Sequence, residues 1–218
     1  MKYLWLALIA YVFTATTGNA ANSGLDPTKL EVKVYGVYIS KNEDCSSPVE
    51  TLSNAAPDYQ DLLSAPTLVD KDNGDGSLNG TYKCVIIKMS DQIRVTPKTS
   101  TDGGMCVAGT AFVTGVCGVH GSGPGSTQQK QDLEGTITDC TNNEDIVFIY
   151  ISRGTATGSE GDYTFLTPTT TETDRGVNLG ADLVISGSQS SEFVINASGQ
   201  VGESEGACGM ERPTFTFR

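Results

Sequence analysis

Residues 82–89 of the chain, Tyr-Lys-Cys-Val-Ile-Ile-Lys-Met, decide its fold class. In an extended segment the side chains alternate between two faces. Here both faces are apolar, with Val85, Ile87 and Met89 on one face and Cys84 and Ile86 on the other. Two apolar faces are typical of a strand that is covered on both sides. Residues Ile146–Ile151 have the same character, so the sequence predicts two central strands.

An earlier strand is predicted over Leu30–Ser40. Its apolar residues alternate at even-numbered positions up to Val34 and at odd-numbered positions from Val37, with Gly36 between the two sets. A strand whose inward face changes at a glycine indicates a β-bulge.

The remaining predicted elements are short. Leu183–Ser186 and Phe193–Ile195 flank a Gly, Ser and Gln segment, which predicts a hairpin. Ser47-Pro48-Val49-Glu50 has a capping-box pattern, and Asp58–Ser64 has room for two helical turns. About eight to ten strands against one or two short helices predict an all-β protein, and we expect an antiparallel β-sandwich with Greek-key connections. The core is predicted to contain Val85, Ile87, Ile146, Phe148, Ile149, Leu183, Ile185, Phe193 and Ile195.

The first twenty residues predict a signal peptide. Met1–Lys2 is a positive start, Tyr3–Phe13 is an apolar run too short to span a bilayer, and Gly18-Asn19-Ala20 supplies small residues for cleavage. We therefore expect residues 21–218 to form a single secreted or periplasmic domain. Trp5, the only tryptophan of the chain, leaves with this leader.

All six cysteines follow the leader, and an even count in an oxidising compartment predicts a disulfide framework. Cys106 and Cys117 bracket a short strand-like segment and are expected to pair with each other. Cys45–Cys84 and Cys140–Cys208 complete the expected set of three disulfides. Six cysteines permit fifteen connectivities, so the alternatives stay open at this point.

The charge of the chain excludes some partners. The net charge is −12, and removal of Lys2 with the leader leaves 13 basic against 26 acidic residues. This balance repels phosphate backbones and anionic surfaces, so we expect no nucleic-acid binding. No second apolar stretch approaches the roughly 20 residues of a membrane helix, and no membrane span is expected.

One part of the chain resembles a known group of proteins. An opening strand, a short excursion over Asp58–Leu63 and then Leu78-Asn79-Gly80-Thr81-Tyr82 entering a strand resemble uncharacterised secreted bacterial proteins with a transthyretin-like sandwich. The resemblance covers residues 29–90. It implies a transthyretin- or immunoglobulin-like β-sandwich, and it implies no activity, because such proteins share none.

Residues 70–76, Asp-Lys-Asp-Asn-Gly-Asp-Gly, carry the sharpest chemical signal. Alternate acidic side chains on a glycine-bearing loop suit Ca²⁺, which takes six to eight oxygen ligands at about 2.4 Å. Asp70, Asp72 and Asp75 would supply carboxylates, and Asn73 a carbonyl. The loop departs from the EF-hand pattern at Gly74 and at Lys83, where Asp or Asn and Glu are expected. The alternative interpretation is an ordinary turn leading into the strand at residue 82.

The patterns typical of zinc sites and of catalytic carboxylate pairs are incomplete in this sequence. His120, the only histidine, lies in a glycine-rich segment three residues after Cys117, which the compartment assigns to a disulfide. The acidic pairs Glu43/Asp44, Glu144/Asp145 and Glu203/Glu205 are flanked by turn residues, and solvated turns explain them. We therefore assign no catalytic residue and no cofactor other than the candidate Ca²⁺.

These observations predict a secreted, non-enzymatic β-sandwich that binds an unknown extracellular ligand or protein partner, as a binding or surface/adhesion module. One alternative is a secreted hydrolase that uses two carboxylates. Another is a structural subunit that assembles through the alternating C-terminal segment 213–218, Pro-Thr-Phe-Thr-Phe-Arg, as an edge strand. The same segment is also able to complete a sheet of its own chain.

Overall fold

The computed structural model describes residues 21–64, 78–118, 127–141, 144–157, 163–186, 189–190, 193–204, 207–211 and 213–217. Within these ranges the chain forms eighteen strands and one 3-10 turn at Leu62–Ser64. The strands are β1 (Ala21–Leu25), β2 (Pro27–Ser40), β3 (Val49–Ser53), β4 (Tyr59–Asp61), β5 (Gly80–Tyr82), β6 (Cys84–Ser90), β7 (Gln92–Pro97), β8 (Phe112–Gly115), β9 (Gln129–Gln131), β10 (Ile137–Asp139), β11 (Ile146–Ser152), β12 (Val177–Asn178), β13 (Leu183–Ser186), β14 (Gln189–Ser190), β15 (Phe193–Asn196), β16 (Val201–Ser204), β17 (Ala207–Met210) and β18 (Thr214–Phe217).

The all-β class is confirmed. The largest sheet has eight strands in the order β12-β11-β6-β2-β7-β8, with β3 and β4 paired to the other edge of β2. Smaller sheets are β1-β16-β17, β14-β13-β5, β15-β18 and β10-β9. The sheets are curled and mainly antiparallel, and the two-layer sandwich stays a prediction.

The pairing of β2 with β6 and β7 forms the backbone of the large sheet. One edge of β2 pairs from Ser40 to Val34 with β6 and from Glu31 to Pro27 with β7, so β6 and β7 run on as one long strand. The predicted bulge is confirmed, since the register with β6 shifts between Val34 and Gly36. A Cβ atom at Gly36 would lie 3.2 Å from the carbonyl oxygen of Leu52, so the close approach of β3 also favours glycine here.

The bulge keeps every Leu, Val and Ile residue of β2 on one face of the sheet. Leu30, Val32 and Val34 precede it, Val37 and Ile39 follow it, and all five are at most 3% exposed. They join one large cluster with Val85 and Ile87 of β6, and both central strands are confirmed. A smaller cluster of Cys45, Cys84, Ile86 and Tyr150 covers the opposite face.

Part of the predicted core is wrong. Val85, Ile87, Leu183 and Ile185 are buried as expected, but Ile146 is 44% exposed because it is the first residue of β11. Phe148, Ile149 and Ile195 are half-buried. The ring of Phe148 lies on the outer face, 6.4 Å from the ring of Tyr38 and 5.6 Å from Lys88 Nζ. Truncation of Phe148 therefore removes less buried apolar surface than truncation of a core residue. The side chain of Phe193 lies outside the described set.

The first predicted helix, at Ser47–Glu50, is wrong. An N-cap residue needs an extended backbone, whereas Ser47 has a φ of 52°. Val49–Ser53 instead forms β3 on the edge of β2. The second predicted helix, over Asp58–Ser64, is reduced to the 3-10 turn, because Tyr59–Asp61 pairs with β2 as β4.

The predicted hairpin between Leu183–Ser186 and Phe193–Ile195 is also wrong. β13 pairs with β5 and β14, and β15 pairs with β18, where Phe193 lies opposite Phe217 and Ile195 opposite Phe215. The C-terminal strand thus completes a sheet of its own chain, and a bridge from Leu179 to Phe215 occupies its other edge.

Three disulfides are present and no cysteine is free. Cys45–Cys84 is confirmed. The other two expected pairs are wrong, because the bonds are Cys106–Cys208 and Cys117–Cys140. The segment around Cys106 lies beside β16 and β17, where the Cys106 sulfur is 3.3 Å from the carbonyl oxygen of Gly202. Tertiary packing therefore overrides proximity in sequence. Three such bonds are consistent with maturation in an oxidising, non-cytoplasmic compartment.

Removing the longest disulfide loop will cost the most stability. Cys106–Cys208 joins residues separated by 102 positions, and Cys117–Cys140 residues separated by 23. Loop-closure entropy predicts about 4.7 kcal/mol for the first bond and about 3.5 kcal/mol for the second. We expect paired Cys→Ala variants to lose stability in that order in urea unfolding. Equal losses, or peptide maps that link Cys106 to Cys117, would contradict this assignment.

A second prediction separates the center of the sheet from its end. Ile86→Ala removes a side chain that is fully buried, and a loss of about 2–5 kcal/mol in the free energy of unfolding is expected. Ile146→Ala is the matched control on the exposed end of β11, with an expected loss under about 1 kcal/mol. Denaturant midpoints measure both, and similar losses would show that the second face of β6 is not a core.

Candidate functional site

A cavity of about 310 Å³ lies against the inner face of the large sheet. Buried apolar side chains form its floor, which we define by Leu30, Val32, Ile87, Met89, Ile93 and Phe165. The floor follows from the alternation in β2, β6 and β7, because every second residue of these strands points inward. A cavity lined in this way offers an apolar body van der Waals contact without any unmet hydrogen bond.

The cavity also reaches solvent. Its mouth consists of the lining residues that are half-buried or exposed, namely Thr114, Gly115, Val116, Gln128, Ile149, Thr164, Met210, Glu211 and Pro213. The mouth therefore mixes hydroxyl, amide and carboxylate groups with apolar side chains.

Two disulfides lie beside the residues of the mouth. The backbone of Gln128 donates to Gly118 O at 3.0 Å and accepts from Cys140 N at 2.8 Å, so the Cys117–Cys140 bond fixes it on both sides. The side-chain Oε1 of Gln128 accepts from Gly118 N at 3.2 Å.

The acidic end of the mouth is fixed in a similar way. Cys208, bonded to Cys106, lies on β17 two residues before Met210. The next residue, Glu211, donates its backbone N–H to Gln200 O at 2.7 Å. The backbone at the mouth is therefore placed before any ligand arrives.

A separate polar cluster lies where the large sheet divides. β11 pairs with β6 and β8 pairs with β7, and these outer strands separate at Asp91. The backbone N–H of Asp91 donates to Asp145 O at 2.9 Å, and its Oδ1 accepts from Asp145 N at 2.8 Å. Val116 N donates to Asp91 O at 2.9 Å. One residue thus replaces the missing ladder contacts to both strands.

Lysines hold the two acidic residues next to this division. Lys130 Nζ lies 2.5 Å from Asp145 Oδ1, and Lys33 Nζ lies 2.8 Å from Glu144 Oε1. The hydrogen bonds from Lys33 and Ser90 lower the pKa of Glu144. Burial opposes ionisation of Asp145, but Lys130 and Thr141 outweigh it, and its pKa is lowered as well. Burial raises the pKa of Asp91, which is only 2% exposed.

The other acidic pairs are engaged in local structure. Glu43 forms an ion pair with Lys83, with Oε1 2.8 Å from Nζ. Asp44 accepts hydrogen bonds from the hydroxyl and from the backbone N–H of Ser46, and both lower its pKa. Glu203 accepts from the Thr101 hydroxyl and from Met105 N, and both bonds lower its pKa. Glu205 lies outside the described residues. None of these described carboxylates lines the cavity.

The candidate calcium ligands Asp70, Asp72, Asn73 and Asp75 lie outside the described residues, as does His120. Among the residues that the structure describes, no group of three or more His, Cys, Asp or Glu side chains is arranged to hold a metal ion. The calcium site stays a prediction. No helix in the described ranges is long and apolar enough to cross a membrane.

The chain has no significant match among protein-family models, curated proteins or solved structures. The cavity was not predicted from the sequence. Its lining residues come from segments as distant in sequence as β2 and β18, so no local motif predicts the cavity. The available signal was the bulged alternation of β2, which predicts a continuous apolar face but not the space left above it.

The cluster at the sheet division generates a pH-dependent prediction. Asp145→Asn leaves the half-buried ammonium of Lys130 without its counter-ion, and we expect a loss of about 1–3 kcal/mol at pH 7. Because the pKa of Asp145 is lowered by folding, its contribution is present above the unfolded pKa of about 4 and is lost as pH falls through the folded pKa. Urea unfolding of both proteins from pH 7 to pH 2 measures the difference.

Asp91→Asn is the matched control, with the opposite slope. The folded pKa of Asp91 is raised, so ionisation costs the wild type stability as pH rises from the unfolded pKa through the folded one. The asparagine oxygen still accepts a hydrogen bond from Asp145 N. The free energy of unfolding of the variant should therefore rise relative to that of the wild type as pH rises. If the difference in stability from wild type changed with pH in the same direction in both variants, the opposite pKa shifts assigned to Asp145 and Asp91 would be contradicted.

Proposed function

We propose that this chain is a secreted or periplasmic, non-enzymatic β-protein that binds a small apolar molecule in the cavity. The observation that carries the proposal is the cavity itself, about 310 Å³ with a buried apolar floor. Apolar cavities of about 150 Å³ already bind benzene, and ligand pockets begin at roughly 300 Å³. Filling such a space with an apolar body restores the dispersion contacts that the lining side chains otherwise lack.

The arrangement of the mouth supports reversible binding. Its backbone is anchored through two disulfides, so the ordering cost of closing a loop over the ligand is small. The mouth also reaches solvent, which gives an entry path that does not require opening the core.

The described acidic residues support the non-enzymatic part of the proposal. A carboxylate-dependent hydrolase needs two carboxyl groups that face one pocket. Glu43, Glu144 and Asp145 are instead each paired with a lysine outside the cavity. A structural subunit would need an open C-terminal edge, whereas β18 is paired with β15 along one side and forms a bridge to Leu179 at Phe215.

Binding is tested with octan-1-ol, an uncharged probe with a long apolar tail, on the mature chain. We expect saturable binding by calorimetry and an increase in Tm, because a ligand at 100 times its Kd adds about 2.7 kcal/mol to the stability of the folded state. Absence of saturable binding would contradict the proposal.

Two tryptophan variants place the ligand. Ile149 lines the cavity and Ile146 does not, although both lie on β11. We expect Ile149→Trp to fill the space and abolish octan-1-ol binding, and Ile146→Trp to bind like wild type. Since the mature chain has no other tryptophan, the fluorescence of each variant reports whether it is folded. A folded Ile149→Trp that still binds would place the ligand elsewhere.

A further inference from the structure

We propose that the chain carries a second binding site, for a neutral sugar in the pyranose form, in a polar pocket between β9 and the segment 163–175. Tyr163 presents the ring against which the sugar stacks. The polar pocket shares no lining residue with the cavity on the inner face of the large sheet, so this inference does not depend on the binding of an apolar molecule there.

The polar pocket has a volume of about 610 Å³, within the range of roughly 300–1,000 Å³ that is usual for ligand sites. One aromatic ring lies among amide, hydroxyl, carboxylate and guanidinium groups, and the lining includes Gln129, Tyr163, Glu172, Thr173, Asp174 and Arg175. A pocket of this composition suits a ligand that has many hydroxyl groups and one apolar face.

The ring of Tyr163 is the apolar element of this pocket. Among the large exposed hydrophobic side chains of the described residues it is the only aromatic one, with 44% of its surface exposed. Its backbone is fixed, because Tyr163 O accepts hydrogen bonds from Leu166 N at 3.1 Å and from Gly176 N at 2.9 Å. The negative face of an aromatic ring attracts partly positive C–H groups, and a pyranose presents several of these on one side.

The polar groups of the pocket match the hydroxyl groups of a sugar. Each sugar hydroxyl both donates and accepts hydrogen bonds, so it needs partners of both kinds. The carboxylate of Asp174 accepts, the guanidinium of Arg175 donates, and the amide of Gln129 does both. The pocket therefore offers both kinds of partner around a single ring.

An ion pair within the lining favours an uncharged ligand. Arg175 Nη2 lies 2.9 Å from Glu172 Oε1, and the side chain of Arg175 is only 21% exposed. An anion would have to compete with Glu172 for the guanidinium. A guanidinium has five N–H donors, and this bond uses one of them, so the ion pair positions Arg175 without exhausting its capacity to donate to a neutral hydroxyl.

The segment that carries Thr173 and Arg175 is held by hydrogen bonds from a neighbouring turn. Ala156 N donates to Thr173 O at 2.8 Å. The hydroxyl of Thr155, only 1% exposed, donates to Arg175 O at 2.7 Å. Gly176, the next residue, has a φ of 72°, and a Cβ atom there would lie 2.6 Å from a backbone oxygen, so glycine is required. The lining side chains therefore project from an ordered backbone, which lowers the entropic cost of binding.

The test is a titration of the mature chain with the methyl pyranosides of glucose, galactose and mannose, followed by the NMR shifts of the backbone amides. We expect at least one of them to bind saturably and to shift the amides of Tyr163, Thr173 and Arg175. Sorbitol, an acyclic polyol without a rigid C–H face, should bind about tenfold more weakly. Absence of saturable binding of all three pyranosides, or equal binding of sorbitol, would overturn the inference.

Maltose, cellobiose and lactose distinguish the two sources of a pyranose. Tighter binding of one of these disaccharides than of the single units would assign the site to a longer glycan, and equal binding would assign it to a single sugar unit. Both results support a pyranose site.

Variants of Tyr163 separate stacking from a hydrogen bond of the phenol group. Tyr163→Phe keeps the ring and should bind within about twofold of the wild type, whereas Tyr163→Ala should bind about tenfold more weakly. The side chain is exposed, so Tm should change little, and an unchanged Tm shows that both variants are folded. A folded Tyr163→Ala that binds like wild type would overturn the assignment of the site.

A second pair of variants tests the polar groups. Asp174→Ala removes an acceptor from the lining and should weaken binding about tenfold. Asp102→Ala makes the same change at an exposed residue that does not line the pocket and should bind like wild type. Equal weakening in both would show that the polar pocket is not the site. Octan-1-ol should bind equally to all of these variants, because none of the changed residues lines the cavity on the inner face.

Discussion

The structure depends on the pairing of one bulged strand with a long neighbour. Because side chains in a strand alternate with a period of two, a shift of one residue turns every apolar group to the opposite face. β2 contains such a shift at Gly36, and the bulge there cancels it, so that Leu30 and Ile39 lie on the same side. The β6–β7 strand pairs along the whole edge, and the floor of the cavity is the surface that this pairing creates. A regular β2 would divide that surface between the two faces.

Hydrogen bonds and ion pairs satisfy the backbone groups that strand pairing leaves without partners. Where β8 and β11 part, backbone groups lose their ladder partners, and unpaired buried groups are costly. Asp91 supplies a side-chain acceptor and two backbone contacts at that point, at the expense of burying its own carboxyl group. The neighbouring Asp145 is compensated by Lys130. The acidic pair Glu144/Asp145, which the sequence explains as a solvated turn, therefore stabilises a branch point of the sheet.

Local alternation was enough to predict the all-β class, the two central strands and the bulge, because each is encoded within ten residues or so. Partners distant in sequence were not predictable in this way. Cys106 bonds to Cys208 rather than to its near neighbour Cys117, and β15 pairs with β18 rather than with β13, since the packing of the whole chain decides both. The capping-box pattern at Ser47 failed for the same reason, as the edge of β2 recruits Val49–Ser53. The cavity is a volume left between such partners and has no sequence motif of its own.

The Cys106–Cys208 bond has a consequence for the order in which the protein matures. Its two sulfurs are separated by 102 positions, and the second lies close to the C-terminus. The bond cannot close until the long segment between its two cysteines has been synthesised, whereas Cys45 and Cys84 are separated by only 39 positions. Contacts so distant in sequence form late, because the entropy of closing the loop must be met first. The side of the cavity mouth next to Cys208 is therefore completed late in maturation, and only where thiols are oxidised.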